Sequence, residues 1–543
     1  MERNRAADQA TLHAVHAAAQ RGAHTEAALL AQAALADGLE HPLLLNVLAL
    51  SHEQRGEPEE AARLLTRAVQ IAPQDQPARN ALGLCLLRLE RPGRALVQFE
   101  ALLQLNPSLP FAHVSRGTAL AALGLIAEAE QSYQQALALD PQHAVALAGL
   151  ASLASSRGAY TDARSLAQSS LALLPGLPEA VLALAAAELG DQDVYGAEAR
   201  IRALLADPRI GPLEHARANG LLGDILDAKN YTSEAFAAYS ACNQELQKVF
   251  AGRFTGDQEA YAYVCSIQHY FEQVVAETWK QRPARDPRHT GAAQHVFLLG
   301  FPRSGSTLIE VILKGHRNIV TLQENESLID ALDEFMRRPA DLDGLIRAPE
   351  TTLERLRAAY WHRVAAAGVD VMGKMFVDEN PLNILKLPLI ARLFPDARIL
   401  FACRDPRDVV LSCFRHRFRM SASMYQLLTL AGAAGYYERV MQLGVQLFSL
   451  LPLETYLVRH EDVVQGFARE MQRICAFLQI EWDPAMGDFA LRTQKGAGLA
   501  PSATEMAKEL NTEGIGQWRR YERQLAAVRP VLEPWVKRFC YEE

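Results

Sequence analysis

The sequence lacks any apolar stretch of about 18 residues or more, the length a membrane-spanning helix requires, so a bilayer is not expected among its partners. Its opening, MERNRAADQATLHAVHAAAQ, has no apolar signal core, and a cytoplasmic location is expected on that ground. Cysteine is scarce. The seven thiols, Cys85, Cys242, Cys265, Cys403, Cys413, Cys475 and Cys540, are scattered and odd in number, with no C-x-x-C spacing. That excludes a disulfide framework and a zinc site built on paired thiols, so reduced thiols and no metal are expected. Positive charge is not in excess either. Lys and Arg number 55 against 63 Asp and Glu, a net charge of −8, which leaves no electrostatic footprint for nucleic acid. With 49% hydrophobic and 22% charged residues in 543, the chain is long enough for two domains with their own cores, and nothing in it indicates disorder.

What is present divides into a repetitive first half and a non-repetitive second half. Pro73, Pro107, Pro141 and Pro175 recur every 34 residues, the period of the tetratricopeptide helix-turn-helix. Gly83 and Gly117, the alanines 61, 95, 129 and 163, and Leu65, Phe99, Tyr133 and Ala167 keep the same register. Small side chains let the paired helices approach, bulky ones fill the gap, and proline stops the second helix. About seven repeats over residues 8–245 are expected, forming an all-α solenoid whose groove binds a peptide or protein. Residues 246–293 read as a helical, partly aromatic junction ending in the linker KQRPARDPRHTGAA, and residues 334–370 read as charged and helical.

The second half, 294–543, carries GFPRSGST, Gly300 to Thr307, between the apolar run His295–Leu299 and a helical pattern from Thr307 to Lys314. Strand, glycine turn and helix together form the context of a phosphate-holding loop. Backbone N–H groups of residues 303–307 at a helix N-terminus would face one anion. Relative to G-x-x-x-x-G-K-[ST], the lysine is replaced by Ser306 and a basic residue stands at Arg303, which argues against triphosphate hydrolysis. A second strand-turn-helix, ARILFACRDPRDVVLSCF, places Arg404 at a strand end and Ser412 about two turns into the helix. Two anion sites at the carboxyl edge of a parallel sheet imply a ligand with two separated phosphates.

These paired motifs resemble the sulfotransferases that use 3′-phosphoadenosine-5′-phosphosulfate (PAPS), most closely the tyrosylprotein-sulfotransferase-like branch often fused to tetratricopeptide repeats in bacteria. The resemblance spans roughly residues 294–535 and implies an α/β P-loop-type domain with a central parallel sheet. It implies that Arg303, Ser304, Gly305, Ser306 and Thr307 bind the 5′-phosphosulfate and that Arg404 and Ser412 bind the 3′-phosphate. By the same resemblance the general base is Glu324, with Glu326 the near alternative, while His316 is a rival that packs or caps the loop helix. Ser502 and Lys508 match a serine and lysine of the closing loop, and His460 stands where a tyrosine lies beside the adenine. Glu379 occupies the place of a lysine that supports the transferring sulfuryl group, so Lys374 or Lys386 substitutes, or the step is slower, or the acceptor differs. The activity implied is sulfuryl transfer to a hydroxyl, a tyrosine of a recruited peptide or protein. The alternatives are a glycan or small-molecule acceptor, a catalytically impaired adaptor that binds nucleotide, and, more remotely, a small-molecule kinase.

Overall fold

A computed structural model describes residues 5–254, 259–274, 276–280, 291–488 and 514–541. The chain forms two compact units, Met1–Arg200 and Ile201–Glu543.

The first unit is helical, and its helices come in successive pairs, from Arg5–Gln20 with His24–Ala36 to Ala144–Ser156 with Tyr160–Leu173. The repeat's small and large residues meet as their spacing predicts. A Cβ built on Gly83 would lie 2.4 Å from the Phe99 ring, and one on Gly117 would lie 2.8 Å from Tyr133. The helices of a pair approach until only hydrogen fits between backbone and ring, and that contact fixes their crossing. Proline sits in the first helical turn of many of these helices, including Pro42–Gln54, Pro58–Ile71, Pro92–Leu105 and Pro110–Ala122. There its missing N–H has no partner to lose.

The second unit holds a five-stranded sheet: β1 (Gln294–Gly300), β2 (Ile319–Gln323), β3 (Met375–Glu379), β4 (Arg398–Cys403) and β5 (Glu454–Arg459), in the order β2-β3-β1-β4-β5 with every pair parallel. Alternation along the strands feeds two cores. Phe297, Leu299, Phe376, Ile399 and Phe401 face one, while Val296, Leu298, Val377, Leu400 and Ala402 face the other with Leu308, Ile309 and Ile312 of the loop helix. Helices cover both faces, so the strands read as unbroken apolar runs. After β1 the chain turns to one side of the sheet for β2 and β3, then crosses β1 to β4. The carboxyl ends of β1 and β4 are therefore neighbours at the switch point, where open α/β sheets hold ligands.

Ahead of β1, the second unit also contains the helices Pro212–Ala228 and Thr232–Phe254, which pack closely on each other, and Ala260–Gln273. Phe271 and Trp279 of the junction segment are buried in the first of the two sheet cores. Residues 334–370 are mainly helical, with Glu350–Ala366 the longest piece. Among the described residues no helix is long and apolar enough to cross a membrane, and no group of three or more His, Cys, Asp or Glu is arranged to hold a metal ion. All seven cysteines are unpaired.

Candidate active site

The loop after β1 is shaped by two left-handed backbone positions. Arg303 has φ +69° and Gly305 φ +93°, and Gly305 is also the N-cap of the helix Ser306–Leu313, with no side chain capping it. The first N–H groups of that helix lack i−4 acceptors, so the turn presents donors at the positive end of a helix dipole. A Cβ at Gly305 would fall 2.6 Å from His460 Nδ1, so both backbone angle and space require glycine there. Ser304 and Ser306 are buried beneath the loop, and Arg303 and Thr307 are half-buried along it.

The β1–β4 register, Gly300 against Ala402, brings the second motif alongside. Arg303 Nε donates to Ser412 Oγ at 2.9 Å, and Arg404 Nη1 lies 3.5 Å from the Arg303 carbonyl oxygen. Arg404 Nη2 also donates to the Gly514 carbonyl. The helix Pro406–Arg415 starts where proline is tolerated, with the Asp405 carboxylate accepting from the Arg407 N–H at 2.9 Å. Arg407, 2% exposed, pairs with Asp405 at 2.8 Å and stacks 3.9 Å from the Trp518 ring. Asp408 accepts from the N–H groups of Gly516 and Trp518, at 2.7 and 2.8 Å, and burial pushes its carboxyl up to about 6. The sequence reading places a turn at Asp405-Pro406 but gives Arg407 and Asp408 no role, yet all three fix that turn and tie it to the segment from Gly514. Their signal was the dense alternation of charge in RDPRD, which is uncommon in a buried turn.

Two groups at this rim are left without partners. Arg404 Nε and His460 Nδ1 are buried and have no hydrogen-bond partner among the described residues. Burial, with Arg404 and Arg303 nearby, drives the His460 imidazole down to about 3, so it is neutral at pH 7. Orphaned polar atoms beside two guanidiniums and a helix N-terminus fit a multiply charged anion, as the 5′- and 3′-phosphates of an adenosine bisphosphate would supply.

Glu324 follows β2, and its N–H donates to the Glu379 carbonyl at 2.6 Å, which extends the β2–β3 ladder by one residue. Its φ of +47° is left-handed, a strained conformation that clusters at functional positions. The side chain reaches solvent, yet the cleft walls crowd it. This desolvation raises its carboxyl above the usual range against the pull of Arg419 and Arg303. Arg419, exposed on the segment after the Pro406–Arg415 helix, was not foreseen from sequence because no motif marks it. The alternative base is committed elsewhere: Glu326 pairs with Lys386 at 2.5 Å. His316 is buried, and its Nδ1 accepts from the Asn318 N–H at 3.1 Å, a turn contact at the end of the loop helix.

Glu379 is fully buried at the end of β3, and neither of its carboxyl oxygens has a hydrogen-bond partner among the described residues. The Ser306 hydroxyl stands near enough to favour the ionised form, though not in hydrogen-bond geometry, whereas burial and the charges of Glu324, Glu310 and Asp378 oppose it and push the group up to about 8. Neither lysine stands in for a cation there. Lys386 is held by Glu326, and Lys374 precedes β3, at the opposite end of the sheet, 3.8 Å from Asp370. Ser502 and Lys508 lie outside the described residues.

Residues 295–484 match the model of the sulfotransferase family, and residues 12–76, 46–110 and 114–178 match that of the tetratricopeptide repeat. Similar curated proteins include an uncharacterized protein of Aquifex aeolicus (strain VF5), 22% identical over 352 residues, covering 62% of this chain and 44% of that protein. They also include a putative protein-tyrosine sulfotransferase of Caenorhabditis briggsae, 23% identical over 235 residues, covering 41% of this chain and 80% of that protein. Nodulation protein NoeE of Sinorhizobium fredii (strain NBRC 101917 / NGR234) is 25% identical over 282 residues, covering 46% and 61%. The chain thus spans less than half the length of the Aquifex relative. Among solved structures, the sulfotransferase domain from the Synechococcus PCC 7002 olefin synthase matches at 20% identity and a TM-score of 0.35, covering 49% of this chain and 99% of that one. The chain carries tetratricopeptide repeats followed by a domain of the sulfotransferase family.

Proposed function

We propose that the protein transfers a sulfuryl group from PAPS to a hydroxyl acceptor, a tyrosine of a peptide or protein recruited by the repeats. The observation that carries this reading is the meeting of two strand-end motifs at one rim, with Arg303 bonded to Ser412 and Arg404 against the Arg303 carbonyl. The donor supplies an activated sulfuryl group and a bisphosphate leaving group. Arg303, Ser304, Gly305, Ser306 and Thr307 hold its 5′ end, Arg404 and Ser412 its 3′-phosphate, and His460 the face beside the base. Ser502 and Lys508 belong to the same nucleotide site in this reading.

Glu324 removes the acceptor's proton as the acceptor oxygen bonds to sulfur and the sulfur–oxygen bond to the leaving phosphate breaks. A carboxyl raised above its ordinary value is a stronger base when ionised and suits that task near neutral pH. Arg303 and the loop N–H groups take up the charge that moves onto the phosphate. A tyrosine acceptor fits the Caenorhabditis briggsae relative, whose name states putative protein-tyrosine sulfotransferase. Repeats that bind the same polypeptide would raise its local concentration at the catalytic domain. The proposed division is repeats over 8–245, a junction over 246–293 and the catalytic domain over 294–543, in the cytoplasm and without a metal.

The test is turnover of labelled donor by the purified chain with a panel of tyrosine peptides, glycans and small alcohols. Labelled tyrosine is the expected product. Labelling of sugars alone would remove the peptide acceptor and keep the enzyme. One observation favours a second reading, a nucleotide-binding adaptor: a buried, unpartnered acid occupies position 379, and neither Lys374 nor Lys386 replaces a cation there. Tight binding of 3′,5′-adenosine bisphosphate without turnover of any acceptor would establish that reading.

A further inference from the structure

The helix Pro212–Ala228 ends in a way its own sequence does not favour. Asp227 lies in its last turn, where the helix dipole disfavours a carboxylate, and the side chain is only 12% exposed. Three groups from the catalytic domain converge on it. Arg415 donates to Oδ2, Tyr521 to Oδ1 at 2.6 Å, and Arg520 lies 2.9 Å from both Oδ1 and the Asp227 carbonyl oxygen. Arg415 also lies over the rings of Tyr239 and Tyr521, at 5.3 and 5.4 Å. Nearby, Asn243 donates to the Phe414 carbonyl at 2.9 Å, and Phe236 stacks on Phe414 at 5.0 Å between centroids.

Arg415 and Phe414 are the last residues of the helix Pro406–Arg415, the helix that carries Ser412. Tyr521 and Arg520 continue the segment whose Gly516 and Trp518 N–H groups bind Asp408, at the start of the same helix. Both ends of the Ser412 helix are therefore fixed from outside the sheet, and the far end is fixed by a carboxylate nearly two hundred residues upstream. Resting on the nucleotide site proposed above, we infer that Asp227 is a positioning residue for that site. It anchors Arg415 and so sets the place of Ser412, which receives the 3′-phosphate and also accepts the hydrogen bond from Arg303. The helix Pro212–Ala228 thereby serves the binding site of the second unit.

The test is calorimetric titration of the full chain with 3′,5′-adenosine bisphosphate. Asp227→Asn is expected to weaken binding about tenfold, and Arg415→Lys, which keeps the charge and loses the fork, about fivefold. In a Ser412→Ala background Asp227→Asn is expected to have almost no further effect, because both changes act on one contact. Tyr270→Phe, which removes a hydrogen bond to Asp343 outside the helix pair 212–254, should lower the thermal midpoint and leave the affinity unchanged. A purely structural Asp227 would lower the midpoint in the same way, with affinity unmoved or with effects that add fully to Ser412→Ala, and either result overturns the inference. Should Asp227→Asn fail to fold, Arg415→Lys and Tyr521→Phe decide it by the same criteria. No binding by the unaltered chain would remove the nucleotide reading and this inference with it, whereas unchanged affinity in the variants beside a binding wild type would remove the inference alone.

Discussion

In the helical unit the deeply buried side chains are alanines, leucines and single aromatic rings set against glycine, and the buried acid Glu188 is paired with Arg200 at 2.7 Å. In the sheet unit the buried set includes Glu310, Asp378, Glu379, Asp405, Arg407, Asp408 and Glu461, most of them at the carboxyl edge of the sheet. The first pattern is what packing alone produces: shape matching at short range, repeated from pair to pair. The second opposes folding, because a buried ionisable group must be paired, neutralised or left at a cost. Charge gathered at strand ends beside a glycine turn is a common mark of a functional site.

Substitutions in the two regions should therefore fail differently. Glu324→Gln is expected to cost about 10²–10⁴-fold in turnover, the usual loss of a general base, with affinity for the bisphosphate unchanged by calorimetry. In the unaltered protein the rate should rise with pH through a midpoint above that of an ordinary glutamate, since burial raises this group, and the variant should lack that limb. Gly305→Ala forces a left-handed alanine against His460. At about 1–3 kcal/mol of backbone strain it is expected to weaken bisphosphate binding by about ten- to a hundredfold, with little change in the repeats.

Gly83→Ala sets a Cβ against the Phe99 ring and should cost about 1–3 kcal/mol of stability by overpacking, read in denaturant unfolding, with the bisphosphate affinity intact. Loss of nucleotide binding in that variant would break the contrast between the two regions. A further effect concerns Glu379, spread over several pH units. Its folded value, about 8, lies above the ordinary 4.5, so the folded state holds a proton that the unfolded chain releases. The stability it contributes is full below about pH 4.5 and is lost as pH rises through about 8, with a slope of at most about 1.4 kcal/mol per pH unit for one proton. Glu379→Gln should flatten that decline in thermal melts between pH 5 and 8.

Much of this was legible in the sequence where a local pattern carries the structure. The 34-residue register of small and bulky residues placed the Gly83–Phe99 and Gly117–Tyr133 contacts. The apolar runs ending at Gly300 and Cys403 marked two strand ends with their turns and helices. What local pattern does not carry is tertiary pairing. The strand order, which makes β1 and β4 neighbours, depends on crossovers that leave no trace in any one segment. Asp227 and Arg415 are 188 residues apart and ordinary in their local contexts, so their ion pair has no sequence signal. Arg419 beside Glu324 belongs to no motif. Glu379 was noticed only because a lysine was expected there, and its burial and missing partners follow from the packing of β3 between β2 and β1.

The most direct measurement is a calorimetric comparison, on the full chain, of 3′,5′-adenosine bisphosphate with adenosine 5′-phosphate and adenosine 3′-phosphate, repeated with Arg303→Ala and Ser412→Ala. The expected result is that the bisphosphate binds at least about tenfold more tightly than either monophosphate, and that Ser412→Ala removes the advantage of the 3′-phosphate while Arg303→Ala weakens most the two nucleotides that carry a 5′-phosphate. Equal affinities for the three nucleotides, or a bisphosphate affinity untouched by either substitution, would contradict the two-ended grip.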